Sequence, residues 1–357
     1  MIIKSNIKAY EIIDAEGFSF IPELKEIQNK FIVIDKNVYE KYSLLFSCFD
    51  INDMMIIEAI EDNKNMDTAL QICERMTALL SKRNSTLISI GGGIIQDVSG
   101  FAANILYRGI KWVFVPTTLL AQTDSCIGSK TSLNYLKYKN LLGTFYPPDH
   151  IFIDNGFLDT LCETDYLSGL GEVVKFNVMS GKDNFDKIVR DIDCLINRDY
   201  CLLKAYVSNS LKYKKTFIEE DEFDLGVRNL LNFAHTFGHA IESVSRYAVP
   251  HGQAVSIGMM IANIVSKNRG LLSADIKEQV EKLCGKVTNI VLLPQYFLLE
   301  PFLAAMKNDK KRVGMKLAAI LMDSDFCLHK IQDIEEDELA AALQEAKKFF
   351  NELGIAQ

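Results

Sequence analysis

Positive charge is in deficit. There are 39 Lys and Arg against 47 Asp and Glu, for a formal net charge of −8. That balance excludes a broad nucleic-acid surface and leaves room only for a local basic pocket that takes an anion. Long apolar runs are also lacking. The stretch near 254–265 carries Ser256 and Asn263 and falls well short of the roughly 20 residues that a membrane-spanning helix needs. The start, Met1-Ile-Ile-Lys-Ser-Asn6, has no apolar core of the secretory kind, so no leader and no membrane partner are expected. The eight cysteines include no CxxC pair, which excludes a zinc ribbon and speaks against a disulfide frame. A reducing, cytoplasmic setting is the expectation. Histidine is scarce too, at five, yet three of the five fall within residues 235–251.

What is present is a core-forming chain. Its 357 residues are 48% apolar and 24% charged, enough for one large or two ordinary globular domains. Phe31–Asp35, Thr86–Ile90, Trp112–Thr118 and His150–Asp154 read as β-strands. Between them, Ala69, Ile72, Met76 and Leu79 give residues 66–81 a helical period. Strands alternating with helices predict a parallel α/β sheet. Beyond about residue 160 the pattern turns helical, Leu317–Met322 being the β-rich exception, and residues 335–353 form a last helix closed by Gly354. The expected organisation is an α/β domain over 1–158 and an all-α domain over 159–357.

Ile88-Ser-Ile90 runs into Gly91-Gly92-Gly93 and then into a helical segment carrying Asp97. Glycines let a backbone approach phosphate closely, and a helix N-terminus supplies free N–H donors. This junction therefore reads as a nucleotide pyrophosphate site, with a plain tight turn as the alternative.

Residues 228–246 read as one buried helix. Arg228, Asn232, His235, His239 and Glu242 follow at steps of 4, 3, 4 and 3, which would put all five on one face. Paired imidazoles with Arg and Asn suit a functional cleft better than a solvated face, which more usually carries Lys and Glu. Two imidazoles and a carboxylate make a common catalytic metal set. Glu172, with Lys175 one turn on and Leu170, Val173, Val174 and Phe176 around it, is the best carboxylate in the sequence. A metal centre and a plain ion pair both remain open on spacing alone. Thr117, Thr118, Asp124, Lys130, Lys139 and Asn140 fall on a glycine-punctuated loop after a strand end, where open α/β sheets bind ligands.

Taken in order, these segments resemble 3-dehydroquinate synthase and its sugar-phosphate cyclase relatives. The matching motifs are Gly91–Asp97, Tyr107-Arg-Gly109, Pro116–Ser125, Lys139-Asn140, Gly171–Lys175, Leu231–Glu242 and His251-Gly252. The resemblance implies a Rossmann-like NAD-binding domain followed by a helical metal- and substrate-binding domain. It implies zinc or cobalt held by Glu172, His235 and His251. It implies NAD contacts from Asp35, Asn37, Glu61, Lys64, Gly93, Asp97, Thr117, Thr118, Lys139 and the segment Phe157–Thr160, with Gly91 and Gly92 in the same turn. Substrate contacts are implied for Asp124, Lys130, Asn140, Lys175, Lys214, Arg228, Asn232, His239 and Lys310. Arg108 is implied to reach the phosphate across a homodimer interface. The implied reaction converts 3-deoxy-arabino-heptulosonate 7-phosphate to 3-dehydroquinate and phosphate, through transient oxidation, phosphate elimination, reduction and an intramolecular aldol step.

Four positions depart from the pattern. Ser129 precedes Lys130 where a glycine is usual. Asp221-Glu-Phe-Asp224 replaces Asp-Glu-Arg-Glu, Gln96 replaces a glycine, and Ala59-Ile-Glu61 replaces Asp-Gly-Glu. The first two leave open another sugar-phosphate cyclase of a cyclitol or glycan pathway. A metal-dependent polyol dehydrogenase, which shares the glycine loop and a metal site, is the alternative of another class. Retention of Arg228, Asn232 and His239 favours a carboxylated seven-carbon substrate.

Overall fold

The computed structural model describes residues 1–79, 82–136, 138–307 and 317–355. The chain divides into two compact units, Met1–Leu161 with Lys215–Asp224, and Cys162–Lys214 with Leu225–Gln357. Lys215–Asp224 thus returns to the first unit, a crossing that a single boundary at 158/159 does not contain.

The first unit is built on strands β1 (Ile2–Ile3), β2 (Tyr10–Asp14), β3 (Lys30–Asp35), β4 (Met54–Ile57), β5 (Thr86–Gly91) and β6 (Lys111–Pro116). A hairpin of β7 (Lys130–Tyr135) and β8 (Tyr138–Phe145) follows, and then β9 (His150–Ile153). The main sheet has seven strands in the order β1-β2-β9-β6-β5-β3-β4. Every pairing in it is parallel except β1 with β2. Phe31–Asp35 and all of β5 are buried, as strands covered on both faces must be. Their apolar runs are the reason these segments were legible as strands. The registers Ile34↔Ile90 and Gly91↔Pro116 bring the carboxyl ends of β3, β5 and β6 side by side. Asp35, Gly91 and Thr117 therefore leave the sheet at one edge, where ligands of such sheets bind. The β7–β8 hairpin lies against the helix Gly93–Ile105. A Cβ on Gly100 would stand 2.6 Å from Thr131 Cγ2 and 3.2 Å from the Trp112 ring, so no larger residue fits this contact.

The second unit is helical, with one antiparallel hairpin of β10 (Leu317–Met322) and β11 (Leu328–Ile334). The all-α expectation is thereby narrowed, and the segment singled out as β-rich is its first strand. The last helix, Glu336–Glu352, is closed at its start by reciprocal bonds between Glu335 and Glu338 and followed by Gly354 at φ +70°. At the centre runs the helix His251–Asn268, buried throughout Gly252–Ser266 and largely apolar, as a core helix is. Among the described residues no helix is long and apolar enough to cross a membrane.

Three helices of this unit touch backbone to backbone through glycines. A Cβ on Gly252 would overlap the Ser168 carbonyl, and one on Gly171 would overlap the Gly252 carbonyl. A Cβ on Gly258 would overlap the Ala234 carbonyl, and one on Gly238 would crowd Val255 Cα at 3.0 Å. Glu172, His235 and His251 each sit within one to three residues of such a contact. Gly252→Ala is therefore expected to cost at least the ~1–3 kcal/mol of ordinary overpacking. Gly93→Ala, whose Cβ meets nothing within 4 Å, is expected to leave stability near wild type. Thermal unfolding of both variants checks this, and equal Tm values would contradict it.

Candidate metal and cofactor sites

Glu172 lies mid-helix in Glu163–Met179 and is 0% exposed. A carboxylate so placed costs several kcal/mol unless cations face it. Lys175, one turn on, brings its Nζ within 2.7 Å of Glu172 Oε2. The other oxygen, Oε1, lies 3.6 Å from His235 Nε2 and 3.4 Å from His251 Nε2. Neither carboxylate oxygen has a hydrogen bond of good geometry. Glu172, His235 and His251 can all offer ligand atoms within 4.8 Å of one another. An orphaned buried carboxylate facing two imidazole nitrogens fits a divalent ion, and it fits the softer N/O-binding metals, zinc and cobalt among them.

The backbone prepares His235. Ala234 adopts a left-handed conformation at φ 71°, strain of the kind that collects at functional sites. The helix consequently begins at His235, after a separate 3₁₀ turn over Val227–Asn232. This corrects the reading of 228–246 as one helix with five polar groups on one face: Arg228 and Asn232 precede the helix, and only His235, His239 and Glu242 lie on it. Left-handed Ala234 turns its carbonyl to Gly258 and to the Gly238 N–H at 2.9 Å, which periodicity cannot reveal. His235 Nδ1 lies 3.1 Å from the Phe233 carbonyl. A carbonyl only accepts, so Nδ1 carries the proton and Nε2 is left as the ligand atom.

Other expected residues of this unit fall as follows. Lys175 is 1% exposed, also lies 4.2 Å from the Phe176 ring centroid, and spends its charge on Glu172. Lys214 and Arg228 are buried, and Asn232 Nδ2 donates to the Asn229 carbonyl at 2.9 Å. The His239 ring centroid is 5.4 Å from that of His235 and 6.0 Å from that of His251. Lys310 lies outside the described residues.

In the first unit, Asp35 ends β3 and caps the next helix by accepting the Asn37 N–H at 2.9 Å. Burial raises its pKa despite that bond. Gly92 caps the helix Gly93–Ile105, and a Cβ on it would press on Thr118 at 3.0 Å. The turn thus packs on Thr118 while open space lies before Gly93. Lys64 binds both Asp97 at 2.5 Å and Asn140 Oδ1 at 2.6 Å. Ser132 Oγ lies 3.0 Å from Asp97 Oδ2 and 2.9 Å from Asn140 Oδ1. Glu61 takes Asn134 Nδ2 at 2.7 Å and faces Lys139 at 3.5 Å. Thr160 donates to the Tyr42 hydroxyl at 3.2 Å, and the Tyr42 ring meets Phe157 edge-on. Asp124 sits in a π-turn over Ala121–Ser125, fastened by two bonds between Gln96 and Ser125. Arg108 is exposed in a left-handed turn. Ser132, Asn134 and Tyr42 had drawn no notice in the sequence, because small polar residues without periodicity carry no signal.

Two of the departures from the family pattern, Ser129 and the run Asp221–Asp224, fall in neighbouring contacts. Ser129, at φ 64°, donates to buried Glu222 at 3.0 Å. Lys130 pairs with Asp224 at 2.6 Å, and Phe223 packs edge-on against Phe145.

The N-terminal 3-dehydroquinate synthase family model matches residues 54–168, and the C-terminal one matches residues 169–312. The chain belongs to the 3-dehydroquinate synthase family. The 3-dehydroquinate synthase of Dictyoglomus turgidum is 36% identical over 290 residues, 81% of each chain. That of Dictyoglomus thermophilum is 33% identical over 346 residues, 96% of this chain and 92% of its own. Among solved structures, ValA, a 2-epi-5-epi-valiolone synthase from Streptomyces hygroscopicus with NAD+ and Zn2+ bound, is 25% identical with a TM-score of 0.85. The match covers 95% of this chain and 97% of ValA. A 2-deoxy-scyllo-inosose synthase complexed with carbaglucose-6-phosphate, NAD+ and Co2+ shares the fold at 21% identity and a TM-score of 0.83, over 97% and 99% of the two chains. The sequence reading of a parallel α/β unit and a helical unit of this family is the observed fold.

Two carboxylates flank the His251 ring. Burial opposes its charge, but the facing carboxylates of Glu172 and Glu242 outweigh burial and raise its pKa to about 10. Burial likewise opposes ionisation of Glu172, yet Lys175 and His251 prevail and lower it to about 2. A metal must therefore displace a proton from His251 but none from Glu172. Affinity for zinc or cobalt is expected to rise with pH between about 6 and 8, by up to ~10-fold per unit. Chelator competition at several pH values measures this; a flat profile would contradict it.

Proposed function

We propose that this chain is a 3-dehydroquinate synthase, converting 3-deoxy-arabino-heptulosonate 7-phosphate to 3-dehydroquinate and phosphate. The observation that carries the proposal is buried Glu172 facing two imidazole Nε2 atoms, in a chain about one-third identical to enzymes of that name over most of its length. Glu172, His235 and His251 would hold the divalent ion. Asp35, Asn37, Glu61, Lys64, the Gly91–Gly93 turn, Asp97, Thr117, Thr118, Lys139, Phe157 and Thr160 would hold NAD. When bound, the ion supplies Lewis acidity and NAD a reversible hydride acceptor.

The protein's own groups divide the remaining work. Arg228 and Lys214 are cations kept from water and suit the substrate carboxylate. His239, beside both metal-site rings, suits proton transfer at the carbon that loses its proton before phosphate leaves. Lys130 and Asn140 suit the phosphate. Each is already held in place, by Asp224 and by Lys64 and Ser132 respectively. Asp124, Asn232 and Lys175 complete the proposed substrate set, with Lys310. A homodimer in which Arg108 serves the neighbouring copy follows the family resemblance, and eight free cysteines support a reducing, cytoplasmic setting.

The changed residues Ser129, Phe223 and Asp224, which contact Glu222, Phe145 and Lys130, favour a second reading, a related cyclase with another sugar phosphate. A panel of sugar phosphates, assayed for phosphate release with NAD and metal present, separates the two. Release from the heptulosonate phosphate without net NADH is expected. Turnover of another sugar phosphate but not of this one would sink the dehydroquinate reading. Net NADH accumulation with an alcohol would instead point to a polyol dehydrogenase. His235→Ala is expected to lose bound metal and, because Lewis acidity is worth several kcal/mol, roughly 10³-fold or more in turnover. Persistence of either would count against the ligand assignment.

A further inference from the structure

The described residues contain a second metal-capable set, His239, Glu242 and His251, which shares His251 with the first. One imidazole cannot serve both sets in the same way. His251 presents Nε2 to Glu172 Oε1 at 3.4 Å and Nδ1 to Glu242 Oε2, also at 3.4 Å. The two carboxylates lie on opposite ring nitrogens, so one of them faces the metal and the other faces the back of the ring. Burial decides which. Glu172 is fully enclosed with neither oxygen hydrogen-bonded, whereas Glu242 is partly open and reachable by water.

His235 supplies the parallel. Its Nδ1 also points away from the metal set, onto the Phe233 carbonyl. Each imidazole thus has an acceptor behind it and its Nε2 in front. The acceptor behind His235 is a neutral carbonyl, and the one behind His251 is a carboxylate. The carboxylate adds charge to the orienting bond and makes its imidazole the stronger donor to a metal. Glu242 reaches His251 across two helices, since it lies on His235–Val244 while His251 opens His251–Asn268. It therefore holds the first residue of one helix from the side of another.

We propose that Glu242 is a positioning residue that fixes the tautomer and aim of His251, and is not itself a ligand of a second ion. This rests on the reading of Glu172, His235 and His251 as the metal site. Removing such a partner typically weakens metal binding 10–100-fold while leaving the ligands in place.

The test uses the full chain, stripped of metal and titrated with Zn2+ or Co2+ against a chelating dye at one fixed pH. Wild type is expected to bind one ion. Glu242→Ala is expected to bind one ion about 10–100-fold more weakly. Glu242→Gln keeps an acceptor oxygen of the same shape, so it is expected to recover much of that loss. A rescue by Gln separates orientation from general damage, and Gln is isosteric enough to keep the fold should Ala fail. Two ions in wild type and one in Glu242→Gln would overturn the proposal and make Glu242 a ligand. Wild-type affinity in both variants would also overturn it. His235→Ala is run alongside. If it keeps its metal, the metal site itself has been misread. If it loses metal while the Glu242 variants do not, only the role of Glu242 falls.

Discussion

A negative charge at Glu172, fully enclosed, is the constraint on which the helical unit turns. Enclosing it without partners would cost several kcal/mol, and removing one partner of a buried pair costs about 3–5 kcal/mol. The fold meets that cost with the Lys175 ammonium on one oxygen and turns the Nε2 atoms of His235 and His251 toward the other. Such a site is poorly served by protein groups alone, because the neutral His235 imidazole turns a lone pair toward the carboxylate and His251 can face it favourably only by holding a proton. A divalent ion between them resolves the conflict. The cluster is therefore a frustrated arrangement that a metal relieves, which is what preorganisation for a cofactor requires.

Close packing makes that arrangement possible. Glu172, His235 and His251 come from different helices, and their donor atoms converge only if those helices approach to backbone contact. Gly171, Gly238, Gly252 and Gly258 permit it, each lying where any side chain would strike a neighbouring main chain or crowd it. Left-handed Ala234 is part of the same device. It stops the preceding turn, hands its carbonyl to Gly238 N–H, and starts a new helix at His235. The three candidate ligands are thus set by helix starts and helix contacts.

The legible part of the molecule was the part with local period. Phe31–Asp35 and Thr86–Ile90 are apolar because both faces are covered, and the three glycines after β5 mark the strand-to-helix turn directly. The stripe at 228–246 misled because spacing assumes one helix, and a single left-handed residue breaks that assumption without any trace in composition. Glu172 stood out by its apolar helical surroundings, but that His251 joins His235 in its set came only through the family resemblance, since no spacing rule spans the gaps between them. The contacts of Ser129 with Glu222 and of Lys130 with Asp224 join residues more than 90 apart. Read singly, the departures Ser129, Phe223 and Asp224 looked like independent losses. In the structure Ser129 bonds Glu222, between Asp221 and Phe223, and Asp224 pairs with Lys130, next to Ser129, so the two changed segments lie together.

Two lysines of the same family inventory sit in opposite regimes. Lys175 is sealed against Glu172, where the pair is strong but each charge has been taken from water. Lys130 is exposed, and its pair with Asp224 is of the kind worth roughly 0–1 kcal/mol. A pair that weak contributes little to stability, but it narrows where the ammonium spends its time. It also yields readily to a stronger anion. Lys175 cannot be lent in this way without stranding Glu172. Lys130 thus holds its charge in a weak, exposed pair, whereas Lys175 commits its charge to Glu172, on a chain whose overall charge is −8.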